Sequence, residues 1–133
     1  MAVSRKGKRE IAVDGRTYFW WVFPDGEVYV PTNGITRSLM IVDDCGEFGV
    51  QYHLGQPPDL CHLTVMGRRF RVSGCGGSHR RFRCPVVVNG PVATPRAVAE
   101  LIKWSTDAGD DPVEVDYQGL PIADRDFANT QIT

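Results

Sequence analysis

Between residues 10 and 92, apolar and polar positions alternate with the two-residue period of half-buried strands. Ile11 and Val13 alternate with Ala12 and Asp14, and Asp14-Gly15 then supplies a two-residue type I′ turn. The stretch 16–23 that follows is dense in aromatic residues (Tyr18, Phe19, Trp20, Trp21, Phe23), so the chain opens on a hairpin. Pro24-Asp25-Gly26 marks a second turn, after which 27–30 resumes the alternation and completes a three-strand meander. Asn33-Gly34 precedes a strand at 37–42, and Asp43-Asp44-Cys45-Gly46 turns into another at 48–54. The paired prolines of 55–59 belong to a loop, because a proline cannot donate to a central ladder. Strands are expected again at 60–65, at 68–72 after a Met66-Gly67 turn, and at 80–88 beyond the Gly/Ser-rich stretch 73–78. About seven or eight short strands joined by short turns describe an antiparallel sandwich, barrel or strongly curved sheet.

The periodicity changes once, at Thr94-Pro95. Thr94 is a natural N-cap, and Pro95 occupies the first helical position, where its missing N–H costs nothing. Val98, Leu101, Ile102 and, more weakly, Ser105 form the stripe of an amphipathic helix over 95–108, with Trp104 beside it, Glu100 and Lys103 facing away, and Gly109 as the C-cap candidate. Residues 110–133 are acidic and turn-rich, with an edge strand possible around Val113 and Val115. The expected fold is therefore α+β and mostly β: a curved antiparallel sheet or partly open sandwich or barrel packed by one amphipathic helix. It forms a single domain over 1–133, with a flexible basic N-terminus at 1–9, a β-rich body at 10–92 and an acidic tail at 110–133.

Composition narrows the classes. The chain has 133 residues, 42% hydrophobic and 23% charged, which is ordinary globular usage and enough for one core. No apolar run approaches the roughly 18 residues of a spanning helix, so no membrane association is expected. Residues 1–6 lead straight into charge with no apolar region behind them, so the expectation is a cytoplasmic protein without a signal peptide. The formal net charge of −1 conceals an asymmetry. Residues 1–85 carry 12 basic and 8 acidic side chains, whereas 86–133 carry 3 and 8. Such a division marks either a basic binding face beside an acidic tail or two parts of one surface that neutralise each other.

Two segments support a resemblance. Ile11-x-Val13-Asp14-Gly15-Arg16-x-Tyr18-x-Trp20, together with Thr94-Pro95-x-x-Val98-x-x-Leu101-Ile102-x-Trp104, resembles a loose group of small uncharacterised bacterial proteins. The resemblance implies a shared opening hairpin, a Thr-Pro-capped terminal helix and a bacterial cytosolic setting. It implies no activity.

The chemistry-bearing residues are concentrated between 61 and 84. Arg69-Phe70-Arg71-Val72 and Arg81-Phe82-Arg83-Cys84 read as matched strands of a hairpin, with Phe70, Val72, Phe82 and Cys84 inward. Arg69, Arg71, Arg81 and Arg83 would then share the outer face, with Arg68 and Arg80 at the edges. Like charges paired across strands are unfavourable and call for a counter-anion. It would come from Asp107, Asp110, Asp111, Glu114 and Asp116 folding back, from an acidic protein partner, or from the phosphates of a nucleic acid. Cys61, Cys75, His79 and Cys84 are the candidate zinc ligands, although the close C-x-x-C pair of zinc knuckles is missing. Cys75 beside His79 in a glycine-rich loop is also the one candidate nucleophile-and-base pair, its thiolate favoured by nearby arginines. Tyr18, Trp20 and Trp21 are the aromatic candidates for a partner or homo-oligomer contact. The preferred function is a non-enzymatic binding or accessory module that recognises a macromolecular partner through the aromatic hairpin and the arginine face. The alternatives are a polyanion- or nucleic-acid-binding β-ribbon protein and a small Cys/His-dependent enzyme.

Overall fold

The first hairpin forms where the alternation and the Asp-Gly turn place it. In the computed structural model, which describes residues 7–24, 37–75, 79–88 and 92–122, β1 (Arg9–Val13) runs antiparallel to β2 (Arg16–Pro24), with Ile11 opposite Tyr18. Asp14 and Gly15 take φ values of 51° and 78°, the two left-handed residues that a type I′ turn requires. β3 (Arg37–Asp43), β4 (Gly49–His53), β5 (His62–Val65), β6 (Arg80–Arg83) and β7 (Glu114–Val115) follow, each antiparallel to the strand before it. Among the described residues the result is one open seven-stranded sheet in sequence order, with β1 and β7 at its edges. The paired prolines lie in a loop and a short 3-10 turn, Pro58–Leu60, as their lost donors require.

This register sorts side chains by face. Tyr18 and Trp20 stand on the same side as Leu39, Ile41, Val50, Tyr52, Leu63, Val65 and Phe82, and all are buried. Helix α1 (Pro95–Thr106) covers that side, contributing Ala97, Val98, Leu101 and Ile102 to the same core. Each of the larger of these apolar side chains contributes about 1.5–3 kcal/mol by leaving water. Phe19, Trp21 and Phe23 alternate to the other side beside Met40 and Val42; Phe19 is buried and the rest are half-buried. Thr94 Oγ1 accepts the Ala97 N–H at 3.2 Å, the expected N-cap. The helix ends at Thr106 with Asp107 as its C-cap, earlier than the expected Gly109. No left-handed glycine is required there, because the Thr106 hydroxyl donates to the Ile102 carbonyl at 2.9 Å. The Asp107 N–H in turn points to the Trp104 carbonyl at 3.4 Å. No helix among the described residues is long and apolar enough to cross a membrane.

One expected strand is absent. Residues 68–72 do not pair with β6; they lie in bends, and β6 instead pairs with β5, with His62 opposite Arg83 and Leu63 opposite Phe82. Beyond Val65 the chain leaves the sheet, and its donors are taken elsewhere. Met66 and Gly67 N–H groups both reach the Gly49 carbonyl (2.8 and 3.1 Å), and Arg69 N–H reaches Glu47 O at 2.8 Å. Arg71 N–H reaches Ser105 O on the helix at 2.8 Å. The segment therefore bridges the β3–β4 turn and the end of α1. The expected inward pair nevertheless meets: Phe70 stacks on Phe82 with ring centroids 5.4 Å apart, although no ladder joins them. The expected strand at 27–30 with Tyr29, the Asn33-Gly34 turn, residues 76–78, the basic residues 1–6 and the acidic residues from 123 onward lie outside the described residues.

Gly67 makes this crossing possible. A Cβ there would fall under 3.0 Å from the Glu47 carbonyl oxygen, the Gly49 nitrogen and the Phe48 carbonyl carbon, all main-chain atoms that cannot give way cheaply. Gly67→Ala is expected to destabilise the protein by about 2 kcal/mol or more in urea unfolding. A midpoint unchanged from the wild type would show that residues 66–69 do not pass this close to β4.

Candidate functional site

The arginines of 68–83 divide according to what the crossing segment and β6 place beside them. Arg69 turns inward: its Nη2 donates to the Tyr18 hydroxyl at 2.7 Å and to Asp43 Oδ2 at 3.4 Å, and the guanidinium lies over the Tyr18 and Phe48 rings. Burial alone would lower its pKa, yet the Tyr18 oxygen and the Asp43 carboxylate hold it above its ordinary value. Arg80 forms a bidentate pair with Glu114 at 3.1 and 2.8 Å. Arg71 donates to the carbonyls of Trp104 and Asp110 and stacks 4.7 Å from the Trp104 ring centre. Arg83 donates to the Gly119 carbonyl at 3.1 Å. Arg68 is exposed and meets Glu47 at 3.5 Å, whereas Arg81 has no ion pair among the described residues.

The expected common outer face of Arg69, Arg71, Arg81 and Arg83 is therefore not formed. Alternation puts Arg81 and Arg83 on one side of β6, but Arg69 and Arg71 are not in a strand and follow the bends to separate destinations. The acidic stretch does fold back over the arginines, mostly through main-chain oxygens: Asp110 and Gly119 offer carbonyls, and of its side chains Glu114 closes an ion pair.

What the structure brings together is Arg71 and Arg83. Both line a cleft of about 240 Å³, with Cys84, Pro85 and Trp104 on its walls and Asp110, Pro112 and Val113 from the segment after the helix. Each guanidinium is half-buried, and each keeps a buried Nε–H without a hydrogen-bond partner. Among the described residues neither has a carboxylate within ion-pair distance. A half-buried cation that meets neutral carbonyls, or carbonyls and an aromatic ring, but no carboxylate is incompletely compensated.

The cysteines separate in the same way. Cys75 is buried; its thiol donates to the Val72 carbonyl at 3.2 Å, and burial pushes its pKa up. That is the opposite of an activated nucleophile, and no hydrogen bond joins it to His79 among the described residues. Nor is there among the described residues a group of three or more His, Cys, Asp or Glu side chains placed to hold a metal ion, so the zinc set of Cys61, Cys75, His79 and Cys84 does not converge. Only Cys61 and Cys84 meet, with sulfurs 3.9 Å apart, and the Tyr52 hydroxyl lies 3.2 Å from Cys61 Sγ. The hydrogen bond with Cys84, reinforced by Tyr52, brings the Cys61 thiol down to about 7 against the opposing effect of burial, while Cys84 is pushed up.

Of the aromatic candidates, Tyr18 and Trp20 are core residues, 2% and 4% exposed, and are not available to a partner. Trp21 is half-buried on the opposite face beneath Lys8, whose Nζ lies 4.3 Å from its ring centre. Nothing in the sequence singles out Tyr52 or Trp104 as site residues: Trp104 belongs to the helix pattern, and Tyr52 needs the β4–β5 register to be seen beside Cys61. Asp43 stands before Asp44 and Gly46 as turn chemistry, and with Glu47 as a possible cation ligand, neither of which points to Arg69. Compared with models of known protein families, with curated proteins and with solved structures, the chain matches none.

The Arg80–Glu114 pair gives the site a pH signature. Its hydrogen bonds hold the Glu114 carboxyl below its ordinary 4.5. A carboxyl depressed in the folded state adds stability above its unfolded pKa and loses it as pH falls through the folded value. With both side chains 33% exposed, solvent screening limits the contribution to under about 1 kcal/mol. Glu114→Gln is therefore expected to be less stable than the wild type above about pH 5, with the difference closing below about pH 4. A difference that does not vary with pH in urea melts would contradict the pairing.

Proposed function

We propose that this protein is a non-enzymatic binding module that grips a single anionic group of a protein partner, a carboxylate flanked by apolar residues, in the Arg71–Arg83 cleft. The observation that carries this reading is the pair of half-buried guanidiniums that line one cavity without a carboxylate counter-ion among the described residues. Charge-assisted hydrogen bonds to such donors contribute about 1.5–3 kcal/mol each. The surroundings fit a carboxylate with an apolar body: Trp104, Pro85, Pro112 and Val113 line the cleft, and Val113 is 47% exposed.

The same geometry disfavours a polyanion. A nucleic-acid ribbon needs a row of outward cations, whereas Arg69, Arg71, Arg80 and Arg83 are turned toward protein oxygens. Asp107, Asp110 and Asp111 are exposed in the segment that closes the cleft; a single carboxylate meets Asp110, which lines it, whereas a chain of phosphates running along the segment meets all three. A cytoplasmic setting, whose reductants favour the free thiols, belongs to this reading.

The probe is N-acetyl-L-leucinate, one carboxylate on an apolar body, titrated into ¹⁵N-labelled protein. The Nε–H resonances of Arg71 and Arg83 and the Trp104 indole resonance are expected to shift together with a Kd of about 1–3 mM, the affinity that about 0.3 kcal/mol per heavy atom gives a ligand of this size. Arg83→Gln should weaken binding at least about tenfold, consistent with one lost charge-assisted contact. No shift at saturating probe would contradict the reading. Heparin binding that falls steeply with salt and is lost in Arg71→Gln would replace it with polyanion recognition.

A further inference from the structure

Cys61 and Cys84 stand directly opposite each other across β5 and β6. The register that sets His62 opposite Arg83, continued by one residue, pairs them, and the Cys84 N–H donates to the Cys61 carbonyl at 3.1 Å to close that rung. Residues in a hydrogen-bonded antiparallel rung have Cα atoms about 5.5 Å apart, within the span of roughly 4.4–6.8 Å that a disulfide bridges. Their sulfurs are 3.9 Å apart. Bond formation needs side-chain rotation and a slight narrowing of the rung, since facing Cβ atoms in sheets are somewhat further apart than in disulfides. A crosslink formed against that resistance is readily reduced.

Both thiols are buried, Cys61 2% and Cys84 7% exposed, so a small oxidant has to reach them through the cleft. Cys84 and Pro85 line the cleft, and Cys61 Sγ lies 3.7 Å from the Pro85 carbonyl just behind that wall. The remaining thiols lack this arrangement: Cys45 is exposed with its hydrogen bond to Asp44, and Cys75 is buried against Val72.

We propose that Cys61 and Cys84 form a peroxide-sensitive pair that closes to a reversible cross-strand disulfide. The Cys61 thiolate attacks one oxygen of hydrogen peroxide, the O–O bond breaks, and hydroxide leaves and takes the proton that Cys61 released, giving water and a sulfenic acid on Cys61. The Cys84 sulfur then attacks the Cys61 sulfur, the S–O bond breaks, and the departing hydroxide carries off the Cys84 proton as a second water. Two thiols are oxidised, one peroxide is reduced, and a dithiol reductant reverses the change. The Tyr52 hydroxyl, hydrogen-bonded to Cys61, acts as a positioning group that favours the thiolate.

The test uses the folded 133-residue chain. It is treated with equimolar hydrogen peroxide, blocked with iodoacetamide, unfolded, blocked again and mapped by mass spectrometry after chymotryptic digestion without reductant. The expected product is a Cys61–Cys84 linked peptide pair lighter by two hydrogens, with Cys45 and Cys75 recovered as alkylated thiols. Dithiothreitol should restore all four thiols. Cys84→Ser should lose the intramolecular crosslink and leave sulfenic or sulfinic acid on Cys61; should that variant fail to fold, the wild-type map decides alone. Recovery of Cys61 and Cys84 as unmodified thiols, or their oxidation without a mutual crosslink, would overturn the proposal.

Discussion

A buried carboxylate at the end of β3 holds together the parts on which everything else rests. Asp43 is 2% exposed. One of its oxygens accepts the N–H groups of Glu47 (2.9 Å) and Phe48 (3.1 Å) and so shapes the turn into β4. The other accepts Arg69, which also donates to Tyr18 on β2. An isolated carboxylate at that depth would be prohibitively costly, so its partners are obligatory. Arg69 must therefore turn away from solvent, and the segment that carries it cannot lie flat as a strand beside β6.

The remaining architecture follows from that anchoring. With residues 66–72 drawn across the β3–β4 turn, the free edge of β5 is left for β6, which brings Cys84 opposite Cys61. The same segment then runs to the C-terminal end of α1, where Arg71 N–H meets Ser105 and the Arg71 guanidinium stacks on Trp104. Residues 110–119 close over β6 through Val113, Glu114 and Gly119, and the space left between them and Arg71 is the cleft. The arginine cleft and the dithiol are neighbours because one crossing produced both.

Local signals carried much of the fold. The Asp14-Gly15 turn, the alternation of Tyr18 and Trp20 against Phe19 and Trp21, the Thr94-Pro95 cap and the Val98-Leu101-Ile102 stripe each depend on residues within one or two turns of each other, and all were legible. The 68–72 stretch was not. Its Arg-Phe-Arg-Val alternation satisfies a strand pattern, and nothing within it says that its main-chain donors go to Glu47 and Ser105, far away in sequence. The common arginine face requires that strand and is lost with it. Phe70 meeting Phe82 was legible through the same alternation, since hydrophobic pairing survives loss of the ladder. The Cys61–Cys84 contact depends wholly on long-range register, and spacing alone pointed to Cys75 and His79 instead.

The most direct measurement is a double-mutant cycle between Asp43→Asn and Arg69→Met, read as urea-unfolding free energies. If Arg69 is fixed internally by Asp43, the two substitutions are coupled by about 1.5–3 kcal/mol, as for contacting members of one buried network. Additivity within about 0.5 kcal/mol, with Arg69→Met itself nearly neutral, would mean that Arg69 points to water, and that the crossing segment, the cleft and the opposed cysteines are not arranged as described.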